Sequence, residues 1–243
     1  MKLTDYIWQF ILTGIISYLI GNINSAVIIS KKIKHQDIRQ QGSKNPGTTN
    51  MMRVFGIKMG AVTLICDMIK GVIPVLLTRL VFGGLLATTA EIFRFAMYLS
   101  AFCVTLGHVF PVFMNFKGGK GFATSVGIML VIQPLPTAII VVLGLGILFL
   151  CDRMSVFALF YVTAELVFHI FAYINTSLMA GHYMNVVTLP MLIIVVLFWI
   201  LVVFAHRANI VRLLKGEENP SGLRKGLFSR KKKEQSDEKT ETK

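Results

Sequence analysis
The stretch Lys117-Gly118-Gly119-Lys120-Gly121 sets two ammonium groups among three glycines, between two apolar runs of membrane length. Glycine lets a backbone turn tightly and lets a ligand come close to its amides. Successive amides in such a turn form an anion-binding concavity, and lysine adds point charges beside it. The chemistry this points to is the handling of a phosphate at a membrane surface. The polar stretch begins earlier, at Gly107-His108-Val109-Phe110-Pro111, and continues to Ala123-Thr124. It is not a P-loop, because the glycine–lysine spacing differs and no strand precedes it. Two lysines at a span end are also what a plain positive anchor looks like, but an anchor needs charge and no unusual backbone freedom. Lys117, Gly118, Gly119, Lys120 and Gly121 are therefore candidates for an anion site, whereas His108 alone is more often a hydrogen-bonded core histidine than a catalyst.

Two further stretches have the same character. Gly42-Ser43-Lys44-Asn45-Pro46-Gly47-Thr48-Thr49-Asn50 is followed by Arg53. Asn45, Pro46 and Gly47 form turns, and Thr48, Thr49 or Asn50 can cap the helix behind them. A helix N-terminus attracts phosphate, and Arg53 one turn on can clamp it through two hydrogen bonds. Ser43, Asn45, Gly47, Thr49, Asn50 and Arg53 are the candidates there. The third stretch runs from His206 through Asn209 and Arg212 to Gly216, Glu217 and Glu218. His206 and Asn209 share one face of a helix leaving the membrane, and Gly216 is a natural helix stop. Each stretch alone is also an ordinary polar loop or interfacial helix end. Three beside one leaflet are harder to explain that way.

The elements that position them are membrane helices. Of 243 residues, 54% are hydrophobic and 15% charged, whereas soluble domains carry about a quarter charged residues. Runs of roughly 20 apolar residues mark spans, near Tyr6–Ile29, Met59–Leu80, Ile92–Phe113, Ala123–Ile132, Leu135–Leu150, Ser155–Ile174 and Val186–Ala205. The expectation is an all-α, polytopic bundle of about seven transmembrane helices with no second folded domain. The fourth run is short: thinned, tilted or partly re-entrant, with Pro134 and Pro136 marking its end. Met1 to Ile29 lacks a cleavage pattern and reads as a retained span.

Charge fixes orientation. The loop Ser30–Lys58 holds seven Lys or Arg against Asp37 alone, and Lys117, Lys120, Arg153 and the C-terminal region join it on one side. Only Lys2, Arg79 and Arg94 lie near the opposite span ends. By the positive-inside rule the C-terminus is cytoplasmic and the N-terminus outside. The formal charge of +13 thus belongs to the membrane, and no nucleic acid partner is expected. Residues 219–243, with Arg230-Lys231-Lys232-Lys233, read as a disordered basic tail touching anionic lipid. Cys66, Cys103 and Cys151 lie in apolar runs without paired spacing, so no metal or disulfide is expected. Asp67 and Lys70 share a helical face and read either as an internal ion pair or as a group near the cytoplasmic cavity; Glu165 and His169 read as structural.

Taken together, the three stretches resemble the acyl-phosphate:glycerol-3-phosphate acyltransferase family of bacterial membranes. Its Gly-Ser-Gly-Asn-x-Gly-Ala-Thr-Asn motif with a following arginine stands as Gly42 to Asn50 and Arg53. Its Gly-His and Lys-Gly-Gly-Lys-Gly stand as Gly107-His108 and Lys117 to Gly121. Its His-Arg-x-Asn-Ile-x-Arg-Leu ending in Gly-x-Glu stands as His206 to Gly216, with Glu217 or Glu218. Lys44 replaces a usual glycine, Thr48 an alanine, and Gly21-Asn22-Ile23-Asn24 the usual Gly-Ser-Ile-Pro.

The resemblance implies acyl transfer from acyl phosphate to the 1-hydroxyl of glycerol 3-phosphate. It implies no cofactor, and a functional link to a soluble enzyme that forms acyl phosphate. Ser43, Arg53, Lys117, Lys120, His206 and Asn209 would be catalytic. Asn45, Gly47, Thr49, Asn50, His108, Gly118, Gly119, Gly121, Arg212, Gly216 and Glu217 would bind substrate. His206 would be a base or, beside Asn209, an orienting group. The alternative is a transporter or scramblase of an anionic solute, which tends to carry internal repeats and a midplane site; no repeat is visible. A mere membrane anchor leaves the glycine–lysine stretch unexplained.

Overall fold
In the computed structural model, which describes residues 2–175, 187–221 and 223, six of the seven apolar runs form one helix each, and the first, Tyr6–Ile29, breaks at residues 22–24 into two. The α-helices are α1 (Ile7–Gly21), α2 (Ser25–Lys34), α3 (Thr48–Phe55), α4 (Ile57–Arg79), α5 (Ala90–Val109), α6 (Phe122–Ile132), α7 (Pro134–Cys151), α8 (Met154–Ile174), α9 (Leu189–Ala205) and α10 (Arg207–Leu214). No strand occurs among the described residues. Five helical segments are long and apolar enough to cross a bilayer, and α9 with α10, bent by 59° at His206, makes a sixth. The seventh, α6, has 11 residues, about 16 Å of helix, roughly half a hydrocarbon core. The basic tail expected at 230–233 lies outside the described residues.

The shortness of α6 has a local cause. After α5 the chain turns back along it, the Gly118 amide bonding the Val109 carbonyl and the Gly119 amide that of His108. Gly121 reaches Thr105, one turn deeper in α5. The connection thus dips into the bundle and starts α6 below the surface. Nearly every residue of α6 is buried against α4, α5 and α7. Many large side chains on α1, α4, α7 and α9 are instead exposed, as lipid-facing surfaces require.

The lysine-bearing loop can sit so close because α5 is clamped to α1 by small residues. A Cβ at Gly107 would lie 2.1 Å from the Tyr18 carbonyl oxygen, and one at Gly21 2.2 Å from that of Val104. Ser17 and Ser100 share a hydrogen bond of 2.8 Å across the same crossing. Such close backbone approach is how membrane helices gain packing contacts. Gly107→Val must push the helices apart, at about 3 kcal/mol for an overpacked site. The expected result is a lowered Tm in detergent, whereas the exposed Gly146, with open space around its Cβ position, should accept valine with little change.

Far from this end, a second polar cluster ties α5, α7 and α8 together. The Tyr98 hydroxyl and the Gln133 amide meet Nε2 of His169, and Thr137 donates to the Glu165 carboxyl at 2.8 Å. His169 Nδ1 bonds the Glu165 backbone carbonyl at 2.6 Å, while the Glu165 carboxyl stands 3.9 Å away. Glu165 and His169, read from the sequence as structural, are thus held mainly by other residues of this cluster.

Candidate active site
The loop 42–50 is shaped by asparagines. Asn50 is buried, accepts from the Ser43 amide at 2.9 Å and donates to the Gln41 carbonyl at 2.9 Å. Asn24, where α1 breaks into α2, caps α2 by accepting from the Val27 amide and donates to the Pro46 carbonyl at 3.2 Å. Lys44 has φ +59, a left-handed conformation that suits glycine, which accounts for its being a glycine in the resembling motif. These contacts set the N-terminus of α3 beside that of α6. The amides of Thr48, Thr49, Gly121, Phe122 and Ala123 make no hydrogen bond within the described residues. Two helix N-termini with free amides therefore open on one space, which favours anions electrostatically.

That space is an open cavity of about 70 Å³. It brings together Ser43, Asn45, Gly47, Thr49, Asn50, Arg53, His108, Lys120, Gly121, His206 and Asn209, eleven of the seventeen residues singled out from the sequence. Phe122, Ala123, Met154 and Ala158 give it an apolar wall. An outer cavity of about 600 Å³ shares Ser43, Asn45, Lys120 and Asn209 with it and adds Lys117, Gly118, Gly119 and Arg212, with Arg39, Lys44 and Arg207. The two lysines are thus separated: Lys120 lines both cavities, Lys117 only the outer one.

Three expectations are corrected. The Gly118 and Gly119 amides are already bonded to α5, so they offer no anion concavity; the free amides lie at Gly121 to Ala123. These two glycines serve close packing, since a Cβ at Gly119 would lie 2.2 Å from His108 Nε2. Gly216, with φ +72, ends α10 and faces open space. The turn it makes sends Glu217 to solvent and buries Glu218.

Glu218 is one of two acids lining the inner cavity, with Asp67. It accepts from Asn209 Nδ2 at 2.6 Å, Ser155 Oγ at 3.0 Å and Arg212 Nε at 2.8 Å. Burial alone would raise its carboxyl, but these hydrogen bonds outweigh burial and hold it below its ordinary value. Lys120 Nζ donates to Asn209 Oδ1, so Asn209 relays between the lysine and the carboxylate. Burial lowers Lys120 to about 8, with Glu218 opposing and Arg212 and Arg53 reinforcing the shift. Arg53 donates to the carbonyls of Pro220 at 2.9 Å and Asn219 at 3.2 Å. The Ser221 amide bonds the Asp152 carbonyl at 2.7 Å. Residues 219–221, beyond the boundary expected at 218, are therefore held against this end too.

His206 sits at the bend between α9 and α10, with Nδ1 2.8 Å from the Val202 carbonyl. A carbonyl only accepts, so Nδ1 carries the proton and Nε2 presents a lone pair. Asp67, Ser155 and Glu218 line the inner cavity without having been singled out for it. Asp67 was legible as a buried acid paired with Lys70, and Glu218 as one of two adjacent acids; Ser155 gave no signal.

Fold and site define a multi-pass helical membrane protein with a basic, polar cavity at one end. The family model for glycerol-3-phosphate acyltransferase matches residues 11–216, and the chain belongs to that family. A glycerol-3-phosphate acyltransferase of Finegoldia magna is 34% identical over 218 residues, 90% of this chain and 98% of the relative. That of Clostridioides difficile is 33% identical over 219 residues, with the same coverage. The crystal structure of PlsY, an integral membrane glycerol 3-phosphate acyltransferase, in its glycerol 3-phosphate form matches with a TM-score of 0.74 and 30% identity, over 90% of this chain and 99% of that one. Its lysophosphatidic acid form matches with a TM-score of 0.72.

Proposed function
We propose that this chain transfers a fatty acyl group from acyl phosphate to the 1-hydroxyl of glycerol 3-phosphate, giving 1-acyl-glycerol 3-phosphate and inorganic phosphate. The observation that carries the reading is the convergence of two helix N-termini, Arg53 and Lys120 on one cavity with an apolar wall. Both substrates bring a phosphate and one brings a long chain. Phe122, Ala123, Met154 and Ala158 suit the chain; the free amides at Thr48 and at Phe122, with the cations, suit the phosphates.

The acceptor hydroxyl attacks the acyl carbon, the bond to the phosphate oxygen breaks, and phosphate leaves with that electron pair. Acyl phosphate is already activated, so the protein's task is placement and charge stabilisation. The hydroxyl proton passes to the bare Nε2 of His206 and from there to the departing phosphate. Cations and polar side chains rim the cavity, and the basic loops lie at this same end. This supports seven crossings and a cytoplasmic site.

The test is purified, lipid-reconstituted protein given acyl phosphate with and without glycerol 3-phosphate. Phosphate release that requires the acceptor, with matching formation of the acylated product, is expected. No acceptor-dependent release from folded protein overturns the reading. A further comparison concerns the two acids: Glu218→Ala should cost about 30-fold in kcat/KM, because it frees Asn209 and Arg212 from a buried charged partner. The exposed Glu217 changed to Ala should leave kcat/KM unchanged.

A further inference from the structure
Behind the inner cavity lies a buried triad whose geometry decides where one proton sits. Lys70 Nζ is met by two hydrogen-bond acceptors, the Ile23 carbonyl at 2.8 Å and His108 Nδ1 at 2.7 Å, and stands 3.4 Å from Asp67 Oδ1 as an ion pair. An ammonium has no lone pair to turn on either acceptor, and the neighbouring Asp67 carboxylate favours the charged form. Asp67 supplies the balancing charge and is itself buried. His108 Nδ1 must then offer its lone pair, and the proton of the neutral ring is on Nε2. That nitrogen lies against Gly119, makes no hydrogen bond within the described residues, and belongs to a residue lining the inner cavity. His169 and His206 have the opposite arrangement, each with Nδ1 on a backbone carbonyl.

We propose that Lys70, charge-balanced by Asp67, is a positioning residue that fixes His108 as an Nε2–H donor to a substrate phosphate oxygen. The cavity then has two histidines of opposite polarity: His206 accepts through Nε2 and His108 donates through Nε2. The identity of the ligand rests on the acyl-transfer reading; the state of the His108 ring does not.

The test starts with resting, full-length protein in lipid, carrying 15N-labelled histidine, with the His108 signals assigned by their loss in His108→Phe. The expected spectrum has His108 protonated on Nε2 and bare on Nδ1, with His169 and His206 the reverse. A His108 ring protonated on Nδ1, or on both nitrogens, overturns the proposal whether or not the enzyme turns over. The kinetic arm removes the ion pair as a unit, Asp67→Asn with Lys70→Met, so that no buried charge is orphaned. This pair should cost about tenfold in kcat/KM, the size of one net hydrogen bond, but almost nothing once His108→Phe is present. Equal losses in both backgrounds would mean that Lys70 acts on packing and not through His108. Absence of acceptor-dependent phosphate release in the unmodified protein would instead sink the acyl-transfer reading and leave the ring assignment standing.

Discussion

Lys120→Met is expected to lower kcat by about 10³, in line with removing a preorganised group that stabilises transition-state charge. Lys120 is the cation common to both cavities and stands next to the free amides that begin α6. Its burial, which lowers it to about 8, leads to two further expectations. The ammonium is the active form, so kcat/KM should fall as pH rises through about 8. Stability should move the other way. A lysine whose folded pKa is depressed destabilises the fold while charged, and this is relieved as pH rises from about 8 toward the ordinary 10.5. Lys120→Met should therefore be at least as stable as the parent near neutral pH, while almost inactive. Near-normal turnover in a folded Lys120→Met protein would remove the residue from the site. Lys117→Met should cost far less, since Lys117 lines only the outer cavity.

The three polar stretches were legible because they combine charge, glycine and turn-forming residues beside apolar runs, and those runs all became helices. Less legible were features set by the path of the chain. Which glycine amides stay free depends on the Gly118 and Gly119 amides bonding back to α5, which no local pattern announces. Glu217 and Glu218 are chemically the same; the turn at Gly216, with the Glu217 amide bonding the Arg212 carbonyl at 2.8 Å, decides which is buried. The Asp67–Lys70 pair was visible from its helical spacing, but its third member, His108, comes from 38 residues away. Helical periodicity pairs neighbours one turn apart and is silent on contacts between helices.

His206→Gln carries the second large expected effect, about a 100-fold loss in kcat with little change in KM, as for removal of a general base. Two roles fit the sequence, a base or an orienting group beside Asn209, and the lone pair on Nε2 favours the first. Asn209 binds Lys120 through its oxygen and Glu218 through its nitrogen, and makes no hydrogen bond to His206 through its side chain. His206 is oriented by its own helix through the Val202 carbonyl, at the 59° bend that turns α10 across the cavity mouth. A side chain steered from behind, with a lone pair directed forward, is arranged to accept a proton. Glutamine can keep a hydrogen bond to the carbonyl but supplies no basic nitrogen, so it isolates the proton-accepting function from the positional one. Single-turnover transfer from bound acyl phosphate to glycerol 3-phosphate gives the clean readout, since it is blind to product release. Near-full turnover in folded His206→Gln would assign the proton to a phosphate oxygen of the donor and leave His206 as packing for the bend.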